Sequence, residues 1–217
     1  MITFTQKDLQ ELMESSKDPV YFINNYVKIN NLEEGLTSIK LRENQEEAIN
    51  QYHNNRFTVC LSERQKGKTL LGTLYCLYYA TFNSCYTVAI LSPTKEISYK
   101  IRDLIHSMYE NLPKFLQMGI IKYNKSIIEF ENGSSIRFSS ASTAMSGLRG
   151  CGINLLYLDE FGIIPDKDAE EIVDAVLPMI VSSKNSKLII SSTDMSATLQ
   201  DLIADDCLKF KFPTVVL

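Results

Sequence analysis

The sequence predicts an α/β fold in which a mostly parallel central sheet is flanked by helices in a three-layer arrangement. Short apolar segments typical of buried strands, such as RFTVCLS, YTVAIL, INLLYL and KLIISS, alternate with longer segments that have a helical pattern. This alternation is typical of βαβ units and a parallel sheet. With 217 residues, the chain is long enough for one core domain with a small addition. We assign residues 41–217 to the core and residues 1–40 to a helical N-terminal extension.

The N-terminal extension is predicted from its helix-capping residues. Thr5 can cap a first helix. Asp18-Pro19 provides an N-cap followed by proline at the first position of a second helix, which runs to about Val27. The polar segment 30–40 is expected to be an irregular linker.

The core elements follow in chain order. Helices are predicted over about 42–53, 68–82, 95–111 (with Thr94 as N-cap) and 168–182, and strands over 56–62, 86–91, 153–158, 187–192 and 210–217. One insertion interrupts this order. Asn132-Gly133 lies between segments 126–131 and 134–139 and is typical of a two-residue β-hairpin turn. We expect this hairpin to extend the edge of the sheet.

Composition argues against several other classes of protein. The net charge of −4 argues against a stand-alone basic protein that coats nucleic acid, although one face can still contact DNA. No apolar run reaches the roughly 18 residues of a membrane span, and the start of the chain lacks the apolar region of a secretory signal. The five cysteines form no CxxC pair and the two histidines lie far apart. We therefore expect reduced thiols, and neither a zinc site nor a disulfide framework.

The segment SERQKGKTLL has the sequence and position of a phosphate-binding loop, between a predicted strand and a predicted helix. Gly67 allows the tight turn that directs backbone N–H groups at phosphates, Lys68 can reach the β- and γ-phosphates, and the Thr69 hydroxyl can bind Mg²⁺. Ser62 replaces the first glycine of the GxxxxGK[ST] pattern, so a helix N-cap with an incidental lysine is an alternative. The candidate nucleotide-binding residues of this loop are Ser62, Glu63, Arg64, Gln65, Lys66, Gly67, Lys68 and Thr69.

An acidic pair follows a buried strand about 90 residues after Thr69. In LLYLDEF, Asp159 can hold Mg²⁺ and Glu160 can polarise the attacking water as a general base. A solvated strand end is the alternative for the pair taken alone. Together with the phosphate loop, the pair predicts Mg²⁺-dependent hydrolysis of a nucleoside triphosphate on a P-loop NTPase fold of the RecA-like (ASCE) type.

Further groups can act on the nucleotide. Arg64 can contact the γ-phosphate in cis, unless it forms a salt bridge to Glu63 or another acid. The amide of Gln45 can pair with an adenine edge, although a solvated helix glutamine is an equal alternative. The small hydroxyl residues at the end of the KLIISS strand can sense the γ-phosphate or simply cap the strand: Ser191, Ser192 and Thr193.

Contacts to nucleic acid have the weakest support in the sequence. Arg149 lies in SGLRGCG, where it can bind DNA phosphate, enter the active site of a neighbouring subunit, or be an ordinary surface-loop arginine. Lys122, Lys125 and Arg137 near the hairpin are further candidates, but scattered basic residues usually form a solvated face. We therefore expect weak, salt-sensitive DNA binding by the isolated chain.

Taken together, the motifs resemble a known family. SERQKGKT, LLYLDEF and IISST occur in that order, with a Gln-bearing helix upstream, ENGSSIRFSS in the middle, and LRG before the acidic strand. Over residues 41–193 the pattern is similar to the ATPase domain of the large terminase subunit of tailed bacteriophages. In that family the loss of the first loop glycine and an arginine inside the loop are typical. The resemblance implies an ATP-hydrolysing motor domain that moves double-stranded DNA into a viral prohead.

The resemblance also implies a role for each motif residue. The implied roles are phosphate and Mg²⁺ binding for Lys68 and Thr69, metal binding for Asp159, catalysis for Glu160, γ-phosphate sensing for Arg64, adenine contact for Gln45, coupling for Ser191, Ser192 and Thr193, and a trans-acting arginine for Arg149. Two departures stand out. Asp194-Met195 follows the coupling motif where relatives often have Pro-Asn, and Glu63 adds a negative charge that needs a partner.

Partners and setting are implied in the same way. The implied partners are double-stranded DNA, the portal protein, the small terminase subunit and a separate nuclease part. The motor is expected to be a homo-oligomeric, pentameric ring whose subunits are monomers in isolation. It is expected to act in the cytoplasm of the infected bacterial cell, away from membranes, and not in the mature virion. The linker subdomain and nuclease of relatives do not fit in the few residues after Thr193, so we expect no DNA cleavage.

Two other functions are compatible with the same motifs. A helicase or other nucleic-acid translocase also combines an upstream glutamine, a phosphate loop, an Asp-Glu strand and a hydroxyl motif, but would need a second RecA-like domain. A binding module that uses ATP as a switch would share the site. The intact Lys68, Thr69, Asp159 and Glu160 favour an active ATPase over such a module.

Overall fold

The computed structural model describes residues 4–31, 33–148, 152–204 and 214–217. Its helices are α1 (Gln6–Lys17), α2 (Pro19–Tyr26), α3 (Glu43–Asn54), α4 (Lys68–Phe82), α5 (Lys95–Glu110), α6 (Ala144–Leu148), α7 (Asp166–Ala175), α8 (Leu177–Ser182) and α9 (Ala197–Ala204). Its strands are β1 (Lys28–Asn31), β2 (Gly35–Ser38), β3 (Phe57–Leu61), β4 (Thr87–Ser92), β5 (Ile120–Tyr123), β6 (Ile127–Phe130), β7 (Ser135–Ser140), β8 (Leu155–Leu158), β9 (Lys187–Ser192) and β10 (Thr214–Val216).

Eight strands form one sheet in the order β10-β3-β9-β8-β4-β7-β6-β5. The first six are parallel, and β6 and β5 are added antiparallel at one edge. One apolar cluster, which includes Leu74 of α4 and Ile105 of α5, covers one face of the sheet. A second cluster, which includes Ile172 of α7 and Ile180 of α8, covers the other face. The predicted three-layer α/β fold with a mostly parallel sheet is therefore confirmed.

Strands β3, β9 and β8 lie side by side in parallel register. Cys60 of β3 pairs with Ser191 of β9, and Leu158 of β8 pairs with Ile190 of β9. All four residues of β8 are buried, as expected for a parallel strand with helices on both faces. Because parallel strands end at the same edge, the segments that follow these three strands meet there.

The N-terminal helices form as their capping residues predict. Thr5 caps α1 and exchanges hydrogen bonds with Asp8, and Asp18 accepts backbone N–H bonds at the start of α2. Phe22 and Ile23 of α2 belong to the same apolar cluster as α4. The division of the chain at residue 40 stays a prediction.

The prediction of an irregular linker over residues 30–40 is wrong. Strands β1 and β2 pair there as a two-stranded antiparallel ribbon, and Gly35 begins β2 with φ at +72°. Most side chains of the ribbon are exposed. It therefore lacks the alternation of apolar and polar residues by which a half-buried strand is recognised in a sequence.

The hairpin is confirmed as an extension of the sheet edge, but its predicted two-residue turn is wrong. Strands β6 and β7 pair in a register that places Phe130 opposite Ser134, which leaves a three-residue loop. Gly133 adopts φ of +79° in this loop, as expected for a type I turn closed by a left-handed residue. Strand β5, which was not predicted, pairs with β6 beyond the hairpin.

The predicted single helix over 168–182 is divided into α7 and α8. Val176 separates them, and Pro178 lies in the first turn of α8. Proline has no N–H for the preceding turn, so the helix restarts at this point. Among the described helices, none combines the length and apolar character needed to cross a bilayer.

Candidate active site

The phosphate loop, residues 62–67, connects β3 to α4 at the carboxyl edge of the sheet. Its backbone is left-handed at Gln65 (φ 64°) and at Gly67 (φ 90°), which immediately precedes α4. A Cβ atom at residue 67 would lie 3.3 Å from Nε2 of Gln45. Glycine therefore permits the turn and leaves room for the Gln45 amide. The residue predicted to contact adenine lies beside the loop.

Lys68 is a buried cation with four polar neighbours. Its side chain is only 2% exposed. Nζ donates to the carbonyl oxygens of Ser62 (2.8 Å) and Glu63 (2.9 Å) and to Oγ1 of Thr193 (3.1 Å). It also lies 3.4 Å from Oε1 of Glu160. An ammonium has three donors, so these contacts use its full hydrogen-bonding capacity.

Glu160 is held by the segment that follows the neighbouring strand. The backbone N–H of Thr193 donates to Oε2 (3.1 Å), and the Thr193 hydroxyl donates to the same oxygen (2.8 Å). The backbone of Glu160 is left-handed, with φ of 47°. Such a conformation is uncommon for a residue with a side chain and is found most often at functional sites.

Asp159 lies next to Glu160 and is almost fully buried, with 1% exposure. Three hydroxyl groups surround one oxygen, Oδ1: those of Thr69 (2.8 Å), Tyr157 (2.9 Å) and Ser191 (3.2 Å). Burial raises the pKa of the Asp159 carboxyl, and the hydrogen bonds from Thr69 and Tyr157 oppose that rise.

The surroundings of Asp159 fit a hard cation such as Mg²⁺. The Thr69 hydroxyl and the Asp159 carboxylate both offer oxygen atoms and are in contact. In the described ranges no group of three or more His, Cys, Asp and Glu side chains is arranged around a common point. That fits Mg²⁺, which usually takes one or two carboxylates and completes its shell with water and phosphate oxygens.

The segments after β8 and β9 are in close contact. Oγ of Ser192 accepts the backbone N–H of Gly162 (2.9 Å) and donates to the carbonyl oxygen of Asp194 (2.5 Å). A Cβ atom at residue 162 would lie 2.2 Å from that carbonyl oxygen. Asp194, where relatives often have proline, therefore packs its backbone against Gly162.

The other charged residues of the loop are exposed. Lys66 lies 3.8 Å from Glu63, so Lys66 rather than Arg64 is the partner of that carboxylate. Over the described ranges the Arg64 side chain forms no hydrogen bond or ion pair. Its predicted contact with the γ-phosphate stays a prediction.

The remaining basic candidates are not brought to this cluster. Arg149 lies outside the described residues, and so does the segment on either side of it. Lys122 pairs with Glu129 across β5 and β6 at 3.7 Å, Lys125 is exposed, and Arg137 lies in β7. Their roles in DNA contact stay predictions.

Two residues of the site were missed in the sequence analysis. Tyr157 is fully buried beneath Asp159, and Gly72 of α4 provides the space for its ring. The available signal was a tyrosine in the otherwise aliphatic strand LLYL. A buried hydroxyl needs a partner, and the adjacent acidic pair could have supplied it.

The phosphate loop, acidic pair and hydroxyl segment also fall within a family match. A family model described as "Terminase large subunit, T4likevirus-type, N-terminal" matches residues 59–213, which is most of the chain. The chain belongs to this family. The large-terminase resemblance drawn from the motifs is therefore confirmed.

Solved structures share the fold of this large-terminase chain. The large terminase of bacteriophage HK97 matches with a TM-score of 0.71 and 18% identity, over 92% of this chain and 43% of that one. A mutant ATPase domain of the large terminase of Thermus phage P74-26 matches with 0.65 and 16%, over 82% and 81%. The large terminase of a thermophilic bacteriophage, solved in complex with ADP, matches with 0.61 and 11%, over 82% and 45%. The chain thus spans less than half of the HK97 protein and of the ADP-bound protein.

Proposed function

We propose that this chain hydrolyses ATP with Mg²⁺ and that hydrolysis drives double-stranded DNA into a viral prohead. The observation that carries the proposal is the contact between Lys68, Glu160 and Thr193 next to the Thr69–Asp159 pair. These are the groups that phosphoryl transfer needs, since its catalysis depends on positioning and charge stabilisation. Membership of the large-terminase family supports the packaging role.

Binding of the triphosphate requires Lys68 to change partners. Its ammonium now donates to two carbonyl oxygens and to the Thr193 hydroxyl. Phosphate oxygens that enter the loop offer a stronger, charged acceptor at the same place, beside the positive end of α4. Transfer of Lys68 to the phosphates would remove its contact with Glu160.

Glu160 would then act on the attacking water. Its carboxylate accepts the proton of the water, while the Thr193 hydroxyl keeps it oriented. Thr69 and Asp159 would hold Mg²⁺, which supplies positive charge to the β- and γ-phosphate oxygens. Gln45 is assigned to the adenine, Arg64 to the γ-phosphate, and the backbone of residues 62–67 to the phosphates.

The partners follow from the family. The proposed assembly is a homo-oligomeric ring, a pentamer, on the portal protein in the infected cell, served by the small terminase subunit and a nuclease part. Arg149 is the proposed arginine that completes the site of a neighbouring subunit. ATP turnover per chain should then rise with protein concentration, and Arg149→Ala should remove that rise. Turnover independent of concentration would contradict the ring-dependent part of the proposal.

The test of catalysis is Glu160→Gln, which keeps the shape of the side chain and removes its basicity. ATP turnover should fall by about 10²–10⁴-fold, the usual contribution of a general base, while binding of ATP is retained. The matched control is Glu171→Gln, an exposed glutamate of α7, which should leave turnover unchanged. Loss of ATP binding in Glu160→Gln, or unchanged turnover, would contradict the assignment.

The test of DNA movement uses the same variants. The wild-type protein, supplied with proheads that carry the portal, should protect double-stranded DNA from nuclease in an ATP-dependent manner. Glu160→Gln should give no protection, and Glu171→Gln should match the wild type. ATP turnover without DNA protection would leave an ATPase but would contradict the packaging role.

A further inference from the structure

Tyr157 is a fully buried tyrosine of β8 whose hydroxyl reaches other parts of the site. The hydroxyl lies 2.9 Å from Oδ1 of Asp159 and 3.0 Å from Oγ of Ser191. The carbonyl oxygen of Lys68 is 3.4 Å away. A phenol has one proton to donate, and the ionised carboxylate is the nearest and strongest acceptor. The Ser191 hydroxyl can then donate to either of the two groups.

Space for the ring depends on one glycine. A Cβ atom at Gly72 would lie 2.1 Å from Cζ of Tyr157 and 2.6 Å from its hydroxyl oxygen. Gly72 lies in α4, one turn after Thr69, and glycine is unfavourable inside a helix. The absence of a side chain at residue 72 lets the phenol reach the carboxylate from beneath the phosphate loop.

We propose that Tyr157 is a positioning residue for the metal site, which it serves by fixing the Asp159 carboxylate and connecting it to Ser191. This inference rests on the proposed function, because it concerns how that function binds Mg²⁺. Three hydroxyl donors on one oxygen leave the carboxylate a single orientation. Groups that orient a metal-binding side chain commonly contribute 10–100-fold to metal affinity.

The connection also reaches the catalytic residue. Oγ of Ser191 accepts the backbone N–H of Glu160 (3.3 Å) while it contacts Tyr157. The phenol thus joins the carboxylate of β8 to the end of β9. A change in the position of Asp159 on metal binding would be transmitted to both neighbours of this hydroxyl network.

The test compares Tyr157→Phe with Tyr75→Phe. Tyr75 is an equally buried tyrosine of α4 whose hydroxyl has no hydrogen-bond partner within the described residues. Binding of a fluorescent ATP analogue is titrated against Mg²⁺, and binding in EDTA is measured in parallel. Tyr157→Phe should need about tenfold more Mg²⁺ for half-maximal binding, with unchanged binding in EDTA, and Tyr75→Phe should match the wild type.

A Mg²⁺ requirement of Tyr157→Phe equal to that of the wild type would overturn the inference. So would a loss of binding in EDTA that matches the loss in Mg²⁺, because the defect would then be in the loop as a whole. Ser191→Ala serves if Tyr157→Phe does not fold, and it should shift the Mg²⁺ requirement in the same direction. The readout is binding, so a wild-type protein that binds Mg²⁺ and nucleotide without turnover would contradict the proposed function alone.

Discussion

Two lysines with similar surroundings lie at opposite ends of the central sheet. Lys68 is at the carboxyl edge, and Lys187 begins β9 at the other edge. Both donate to backbone carbonyl oxygens, and Lys187 has three: those of Tyr52 (3.2 Å), His53 (2.6 Å) and Asn55 (2.8 Å). These carbonyls belong to the end of α3, where a cation is favourable.

The difference lies in what else each lysine touches. Lys68 also contacts a hydroxyl and a carboxylate, both of which can take other partners. The carbonyl partners of Lys187 are fixed by a helix end. Burial and hydrogen bonding alone therefore do not mark a functional lysine. Partners that can be exchanged for a ligand do.

The largest expected effect is on turnover by the Lys68 variant. Lys68→Ala should reduce ATP turnover by about 10²–10³-fold, because it removes a charge-stabilising donor from the phosphates. Lys187→Met should keep turnover within a factor of about two, since this end of the sheet has no part in the chemistry. Steady-state phosphate release measures both. Equal losses in the two variants would break the comparison.

The next effect concerns the two ends of β8. Gly72→Ala should lower the free energy of unfolding by about 1–3 kcal/mol, because the new methyl overlaps the Tyr157 ring. Gly152→Ala, just before β8 at the opposite end, meets nothing within 4 Å and should change stability by less than about 0.5 kcal/mol. Urea unfolding compares them. A Gly72→Ala protein as stable as the wild type would contradict the tight packing beneath Asp159.

A smaller effect is expected from the shared hydroxyl. Thr193→Val removes the group between Lys68 and Glu160 and should lower turnover about tenfold, roughly 1.4 kcal/mol of barrier, while nucleotide binding is retained. Thr58→Val, a buried threonine near the start of β3, is the control and should keep full turnover. If nucleotide binding falls as much as turnover, the hydroxyl serves binding rather than catalysis.

The smallest effect is a pH dependence at the opposite end. Burial lowers the pKa of Lys187 to about 8, below its value in the unfolded chain. Between about pH 8 and 10 the unfolded chain binds the extra proton, so this group makes the protein more stable as pH rises. The stability of the wild type relative to Lys187→Met should increase from pH 7 to pH 9.5.

Denaturant unfolding at the two pH values measures this change. Lys184→Met, at an exposed lysine three residues earlier, is the control and should show no such trend. A difference between wild type and Lys187→Met that is constant with pH would show that the Lys187 ammonium keeps its proton.

The parts of the fold that the sequence predicts correctly are those with local signals. The phosphate loop and the acidic pair each lie within one short segment after an apolar strand, and parallel pairing brings the strand ends together. The β1–β2 ribbon was missed because its exposed residues carry no alternation. The hairpin loop gained a residue because pairing across β6 and β7 decides the register, and Asn132-Gly133 alone does not.

The contacts within the site were less predictable than its residue types. Lys68, Thr69, Asp159 and Glu160 follow from motifs, whereas the role of Tyr157 depends on α4, β8 and β9 meeting at one hydroxyl. No window of sequence contains those three elements. The space left by Gly72 is likewise visible only when helix and strand are packed together.

The ion pair between Lys68 and Glu160 has a consequence for the rest of the reaction cycle. Any enzyme that releases its products returns to an empty site after each turnover. A buried ammonium without a counter-charge would make that state costly. Here the chain's own carboxylate stands in for the departed phosphate, so the motor can wait between substrates without losing its folded loop. Arrival of the next ATP would then free the base at the moment when it is needed.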